Sequence, residues 1–390
     1  MKRNNIIILT SRFPFPLEKG DKLRIYHQIK HLAKNHKLYL ISLNTEKRIT
    51  KNQKKELKKY CEDIYIIELT LWERLMNLLI AFLNKEPLQV GYFYSKRAQD
   101  QINIIINKIK PQWVYSQLIR TAKYVEGLDN NVIDYMDAFS KGIERRINQF
   151  PSIIRPFIKR EFYITKKYEN YIFNQFKHHA IITKNDRNFI EHINNDKIHI
   201  IPNGVDFDYF KPKKNTKKKY EIVFVGNMSY PPNIEAAIYL CEKILPIIKK
   251  KYGFIKVIIG GANPHKKIRN LADKNVTISG WTRDIREVYN SGQIFVAPMF
   301  LGTGLQNKLL EAMSMGLPCV TTKLANNALL ANKSQIMIKE TAEEFANACI
   351  ELLTNNMKYN KIQSEGFKFV KKNYDWETIN KKLSDIFKSI

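Results

Sequence analysis

A turn, a lysine and a glutamate lie close together in "GTGLQNKLLEAM" (302–313), directly after the apolar run "IFVAPMF" (294–300). Gly302 and Gly304 let the backbone take conformations, and approach a ligand, in ways other residues cannot. The residues after them favour a helix, which puts Lys308 and Glu311, three apart, on one face. A helix start offers unsatisfied amides and the positive end of its dipole, and a lysine about one turn in adds a point charge. That chemistry suits an anion, a phosphate above all. The same residues also fit plain helix architecture. Thr303 and Gln306 have the spacing of a capping box, and Lys308–Glu311 the spacing of a solvated i,i+3 pair. The stretch alone leaves both readings open.

The elements around it favour a ligand site. "NIIILTS" (5–11) is apolar without alternation, as in a strand buried on both faces, and a Pro/Gly loop ending at Gly20 follows it. Helical spacing and then "KLYLISL" (37–43) complete a strand–loop–helix–strand unit. "QWVYSQ" (112–117), "NVIDYM" (131–136), "HAIIT" (179–183) and "IHIIP" (198–202) continue the strands, with helical stretches between them, the longest around 138–177. Residues 201–220 combine Asn203-Gly204, a proline and a lysine run, and read as a solvated linker. The alternation then restarts with "EIVFVG" (221–226), "IKVIIG" (255–260), "VTIS" (276–279), "QIFVAP" (293–298) and "LPCVTT" (317–322), and ends in an amphipathic helix at 374–390. Two parallel α/β domains are the simplest account. Ligands of open α/β sheets lie beyond the C-terminal strand ends, where Gly20, Gly226-Asn227 and Gly302–Gly304 all fall. Asp21, Asp134 and Asp137 are candidates for positioning a second substrate; Asp137 follows a strand end of the first half and fits a helix cap equally well.

Composition narrows the function class. The 390 residues allow two domains with full cores, at 44% hydrophobic content. The formal net charge of +28 is spread over both halves, which favours anionic partners in general: phosphates, anionic lipid, nucleic acid. No basic–aromatic motif of a known nucleic-acid reader appears, so no nucleic-acid partner is expected. Cys61, Cys241, Cys319 and Cys349 lack metal-ligand spacing and suit a reducing compartment. "IIIL" (6–9) is too short for a secretory signal, and "LMNLLIAFL" (75–83) too short for a membrane span. "DFD" (206–208) has the spacing of a metal-binding carboxylate pair but lies in the linker, so no metal is expected.

With these residues in view, the chain resembles the family-four retaining glycosyltransferases, of bacterial polysaccharide-assembly type. The blocks "FPFPLEKGDKLR" (13–24), "IPNGVDFDYF" (201–210), "VFVGNMSYPPNIEA" (223–236), residues 280–320 and "YDWE" (374–377) carry the likeness. It implies the GT-B architecture: an α/β fold of two Rossmann-like parallel-sheet domains facing across a cleft, with a C-terminal helix crossing back to the first domain. Residues 1–203 would be the acceptor-side domain, 204–370 the nucleotide-sugar domain and 371–390 the returning helix. Glu311 would hold the ribose hydroxyls, and the Gly302–Leu305 amides (Gly302, Thr303, Gly304, Leu305) with Lys308 the diphosphate. Gly20 would close on the diphosphate from the first domain, Gly226 and Asn227 would line the donor, and Trp281 to Arg283 would lie beside the base. Departures from the family pattern shift weight onto other residues. Thr303 stands where many members have a first glutamate. No basic pair follows Gly226, so Arg24 or Arg283 would assist Lys308. Gln117 and Arg120 stand near a position often held by histidine. Lys308, Asp137 and Asp21 are the candidates for catalytic roles. The expected reaction moves a sugar from a nucleotide sugar to a lipid-linked or polysaccharide acceptor, without metal or other cofactor. The expected location is cytoplasmic, with peripheral association at an anionic inner membrane face. A non-transferring enzyme such as a sugar-nucleotide epimerase, and a basic nucleic-acid-binding protein, are the alternative readings.

Overall fold

The computed structural model describes residues 3–46, 48–213, 216–302 and 304–388. The chain divides into two compact units: residues 1–202 with 380–390, and residues 203–379.

The first unit holds a seven-stranded sheet: β1 (Asn5–Thr10), β2 (Lys37–Asn44), β3 (Asp63–Glu68), β4 (Trp113–Gln117), β5 (Asn131–Met136), β6 (His178–Ile181) and β7 (His199–Ile200). The spatial order is β3-β2-β1-β4-β5-β6-β7, and every pair is parallel. Ile6, Ile7, Ile8 and Leu9 are fully buried, because crossover helices cover both faces of a parallel sheet. The order reverses between β1 and β4, which makes the space beyond their C-terminal ends the topological switch point. The final residues close this unit. The Asn380 amide nitrogen donates to the His27 carbonyl at 3.2 Å. The Phe387 ring meets Trp113 and Tyr115 edge-on, each at 5.8 Å between centroids.

The second unit holds β8 (Tyr220–Val225), β9 (Val257–Gly260), β10 (Val276–Gly280), β11 (Gly292–Ala297), β12 (Cys319–Thr321) and β13 (Met337–Ile338). Their order is β10-β9-β8-β11-β12-β13, again all parallel, with the switch point between β8 and β11. At the end of β9 the backbone packs backbone to backbone. Gly261 has φ +136°, and a Cβ there would come within 1.7 Å of the Gly226 carbonyl oxygen.

Two expectations change. The linker reading of 201–220 fails at its start, because Asn203 and Val205 are buried. Val205 bridges to Asp375, and the Phe210 carbonyl accepts from Ser314 at 2.5 Å. Apolar Val205 and Phe210 outweigh the Asn-Gly and proline signals once they find packing partners. The long helix around 138–177 is divided into Phe139–Glu144, two 3₁₀ turns and Arg155–Phe173. Pro151 and Pro156 account for the break, each being tolerated only at a helix start or turn.

Candidate functional site

The helix carrying Lys308 and Glu311 spans Asn307–Ser314 and starts later than its glycines implied, with Gln306 as N-cap and no side-chain cap bond. Thr303, and with it the capping box and its donor contact, lies outside the described residues. Gly302 and Gly304 both adopt positive φ, +104° and +71°, so the turn between β11 and this helix does use glycine's freedom.

This turn faces the loop after β8, and one side chain links the two. Asn233, buried in the first turn of the Pro231–Tyr239 helix, donates its amide to the Asn227 carbonyl at 2.9 Å. Its Oδ1 accepts from the Lys308 ammonium. Asn227 itself folds the loop through its Oδ1, which accepts from the Ser229 amide at 3.0 Å and hydroxyl at 2.8 Å. Gly226 is closely covered by Asn233, whose Nδ2 lies 2.7 Å from where a Cβ would be. Lys308 Nζ also lies 3.7 Å from Met299 Sδ and 5.5 Å from the Phe224 ring centre. Among the described residues no carboxylate is in salt-bridge contact with it. Burial lowers its pKa to about 8, against the opposing charge of Glu311.

Glu311 is not a solvated ion-pair partner of Lys308. Its Oε2 accepts from the Tyr289 hydroxyl at 2.7 Å, and burial pushes its carboxyl above the ordinary range, with Tyr289 and Lys308 opposing. Its other oxygen has no protein partner among the described residues. A half-buried cation and a carboxylate with one open oxygen thus stand beyond β8 and β11, where ligands of such sheets bind. Leu305 is half-buried in the same turn. Trp281, 69% exposed, and exposed Arg283 lie on the loop after the edge strand β10, separated from β8 by β9.

In the first unit the structure separates the candidates. Arg24 is withdrawn from the donor set. It is fully buried, with Nε 2.6 Å from Asp134 Oδ2 and Nη1 2.8 Å from the Ile201 carbonyl. Asp134 is equally buried and accepts also from the Tyr115 hydroxyl at 2.7 Å and the Met136 amide at 3.0 Å. Both are core groups, because a buried charge must be paired and hydrogen-bonded. Asp21, in the first turn of the Gly20–Leu32 helix, is held by Arg12 at 3.0 Å. Gly20 fits tightly, since a Cβ there would lie 3.3 Å from Met136 Cε.

Asp137 is different. It does not cap the following helix, whose N-cap is Ala138 without a side-chain bond. The residue is exposed, yet desolvation by its surroundings, followed by the charge of Asp186, pushes its carboxyl up to about 7, with Arg120 opposing. Met136 just before it has φ 64°, and Leu118 after β4 has φ 68°. Non-glycine residues in the left-handed region store strain that clusters at functional sites.

Sequence reasoning missed Asn233, Tyr289 and the anchoring of Asp21 by Arg12. Asn233 sat inside a quoted block, but only the fold shows it joining two loops.

Unit 1 also carries an unusual surface. The Leu71–Leu83 helix starts in a capping box from Thr70 and Glu73. Of its large apolar side chains, Leu71, Trp72, Leu75, Leu79 and Leu83 are all more than half exposed. Phe82 packs beside Phe157 at 6.0 Å, and Arg160 donates to the Phe82 carbonyl at 2.8 Å. The helix therefore adjoins the start of the Arg155–Phe173 helix and exposed Ile153.

Comparison with known proteins agrees with this geometry. Residues 219–355, which include β8 to β12 and the Lys308–Glu311 helix, match the family described as Glycosyl transferases group 1. A 44.6 kDa protein in the cps region of Klebsiella pneumoniae is 25% identical over 98% of this chain and 99% of its own length. An Escherichia coli UDP-Gal:alpha-D-GlcNAc-diphosphoundecaprenol alpha-1,3-galactosyltransferase is 29% identical over 45% of this chain and 52% of its own. The crystal structure of Anabaena HepE in complex with UDP superposes with a TM-score of 0.69 at 12% identity, covering 99% of this chain and all of that one.

Proposed function

We propose that the chain, whose residues 219–355 match the group 1 glycosyl transferases and whose two units are parallel α/β sheets, transfers a sugar from a nucleoside-diphosphate sugar to a glycan acceptor. The observation that carries this reading is the arrangement of Lys308, Asn233 and Asn227 beyond β8 and β11, with the open oxygen of Glu311 beside it. The diphosphate would lie on the Gly302–Leu305 turn against the Lys308 ammonium. A carboxylate accepts from two vicinal hydroxyls, which suits Glu311 to a ribose. An acceptor hydroxyl attacks the anomeric carbon, the nucleoside diphosphate departs, and its growing charge is met by a preorganised cation and amides. Lys308 fills the role that a divalent ion fills elsewhere. Retention, with a donor phosphate oxygen taking the acceptor proton, follows the family pattern. Asp137, exposed at the end of β5, would orient the acceptor hydroxyl.

The acceptor is lipid-linked or a growing polysaccharide. This rests on the name of the Escherichia coli relative and the cps setting of the Klebsiella one. The exposed face of the Leu71–Leu83 helix would rest on an anionic membrane surface, since Arg160 contacts it and Arg155 and Lys159 lie on the same helix as Arg160. No helix among the described residues is long and apolar enough to cross a membrane. A thermal-shift panel of nucleotides and nucleotide sugars tests the donor reading, because a ligand that binds only the folded state must stabilise it. Lys308→Ala and Glu311→Ala should abolish the shift, and turnover should persist in EDTA. No shift with any nucleotide, or a shift that both variants keep, overturns the assignment. EDTA-sensitive turnover restored by a divalent ion overturns its metal-independent part.

A further inference from the structure

A cavity in unit 1, of about 340 Å³, lies within the size range of small-molecule sites and is lined by Arg120, Phe139, Ile143, Arg146, Phe157 and Ile158, among others. Three features give it a chemical character. Its walls are apolar and aromatic. Its Phe157 is the residue that packs beside Phe82 of the exposed Leu71–Leu83 helix, so the cavity adjoins the apolar surface patch. Its inner end is cationic: Arg120 follows β4, and Phe139 follows β5, at the strand ends where ligands bind.

Arg120 is built to wait for an anion. Its guanidinium lies over the Phe93 and Phe139 rings, 5.0 and 5.1 Å from their centres. Its Nε donates to Gln89 at 3.0 Å. Among the described residues its two Nη groups meet no acceptor and no salt-bridge partner. The aromatic faces fix the plane of the fork, and a planar fork matches phosphate oxygens in pairs. Glu161 is also in the lining. It is buried, its Oε1 accepts from the Leu88 amide at 2.8 Å, and burial raises its pKa. Asp137 is close enough that its charge and that of Arg120 perturb each other.

We infer that this cavity binds the lipid carrier of the acceptor: an apolar chain along Phe157, Ile158 and Ile143, and its phosphate on Arg120, which presents the attached sugar toward Asp137. The inference rests on the glycosyltransferase reading and names the acceptor class that reading leaves open. An apolar chain alone would leave the guanidinium unpaired, and a free phosphate would leave the aromatic walls unused, so one amphiphile satisfies both.

The test is a titration of the full chain with a sugar-free fifteen-carbon isoprenyl diphosphate, with inorganic pyrophosphate, with the isoprenol, and with vesicles of anionic phospholipid. The isoprenyl diphosphate should bind more tightly than the other two small molecules. Arg120→Gln and Phe157→Ser should each weaken it by about tenfold while nucleotide affinity is unchanged. Lys308→Ala should lose nucleotide and keep the isoprenyl diphosphate, which separates this site from the donor site. Binding that survives both cavity variants, is matched by pyrophosphate, disappears in Lys308→Ala, or is competed away by anionic vesicles overturns the proposal. Failure to bind any nucleotide would instead overturn the donor reading, whatever the isoprenyl diphosphate does.

Discussion

Lys308 is a cation held by neutral groups, and that fixes how its site responds to pH. Its pKa in the folded chain, about 8, lies below the ordinary lysine value. Holding it charged therefore costs stability below pH 8, and the cost is relieved as pH rises through 8 toward the unfolded value. In the proposed donor site affinity should move the opposite way, because a diphosphate there needs the ammonium. Nucleotide affinity should fall by about tenfold per pH unit above 8 in the wild type and stay flat in Lys308→Arg, whose cation does not titrate in that range; calorimetric titration from pH 7 to 9.5 checks this. Arg24 behaves as a core group. Asp134→Ala strands its guanidinium and should cost about 3–5 kcal/mol in chemical denaturation, with nucleotide affinity in the folded fraction unchanged. Lys308 and Glu311 were legible because the chemistry is local: two glycines, a helix, two charges three apart. Asn233 is 75 residues from Lys308 and Asp134 is 110 from Arg24, so no local pattern announces either contact.

Elements were legible where one physical signal dominates. Parallel strands buried on both faces are short apolar runs bounded by loops, and β1, β8 and β11 read as such. The Gly226 loop needed the fold, since its position depends on Gly261 packing against it. Gly261→Ala combines a positive φ with a Cβ 1.7 Å from a carbonyl oxygen. It should lower the melting temperature by about 5–10 °C and weaken nucleotide binding, read by calorimetry and titration on one preparation. The Leu71–Leu83 helix was ambiguous in sequence, because an apolar stripe looks the same whether it meets a core or a bilayer. The structure buries only Ala81 of it. Co-sedimentation with anionic vesicles should exceed that with neutral vesicles severalfold. Leu75→Glu with Leu79→Glu should abolish it without altering nucleotide affinity. Equal recovery on both vesicle types would show that this face has another purpose.

Across the whole molecule, the +28 charge says which partners are favoured but not where they bind, since surplus lysines are distributed over both halves. Only local groupings, such as Arg120 over its aromatic rings and Lys308 against Asn233, give single cations a defined setting. The alternation of elements made two α/β units legible, but nothing in the amphipathic pattern of 374–390 showed that residues from Asn380 belong with the first unit. Asn380 and Phe387 complete the core that begins at β1, and the Asn4 amide donates to the Phe387 carbonyl at 3.3 Å. Synthesis runs from the amino side, so the unit 1 residues up to 202 are made before unit 2 and those from Asn380 after it. The Trp113 and Tyr115 rings, on a strand inside the sheet, therefore lack their Phe387 cover while residues 203–379 are made. Loss of the Phe387 ring should therefore destabilise unit 1, whose Trp113 and Tyr115 it covers, and leave the fold of unit 2 in place.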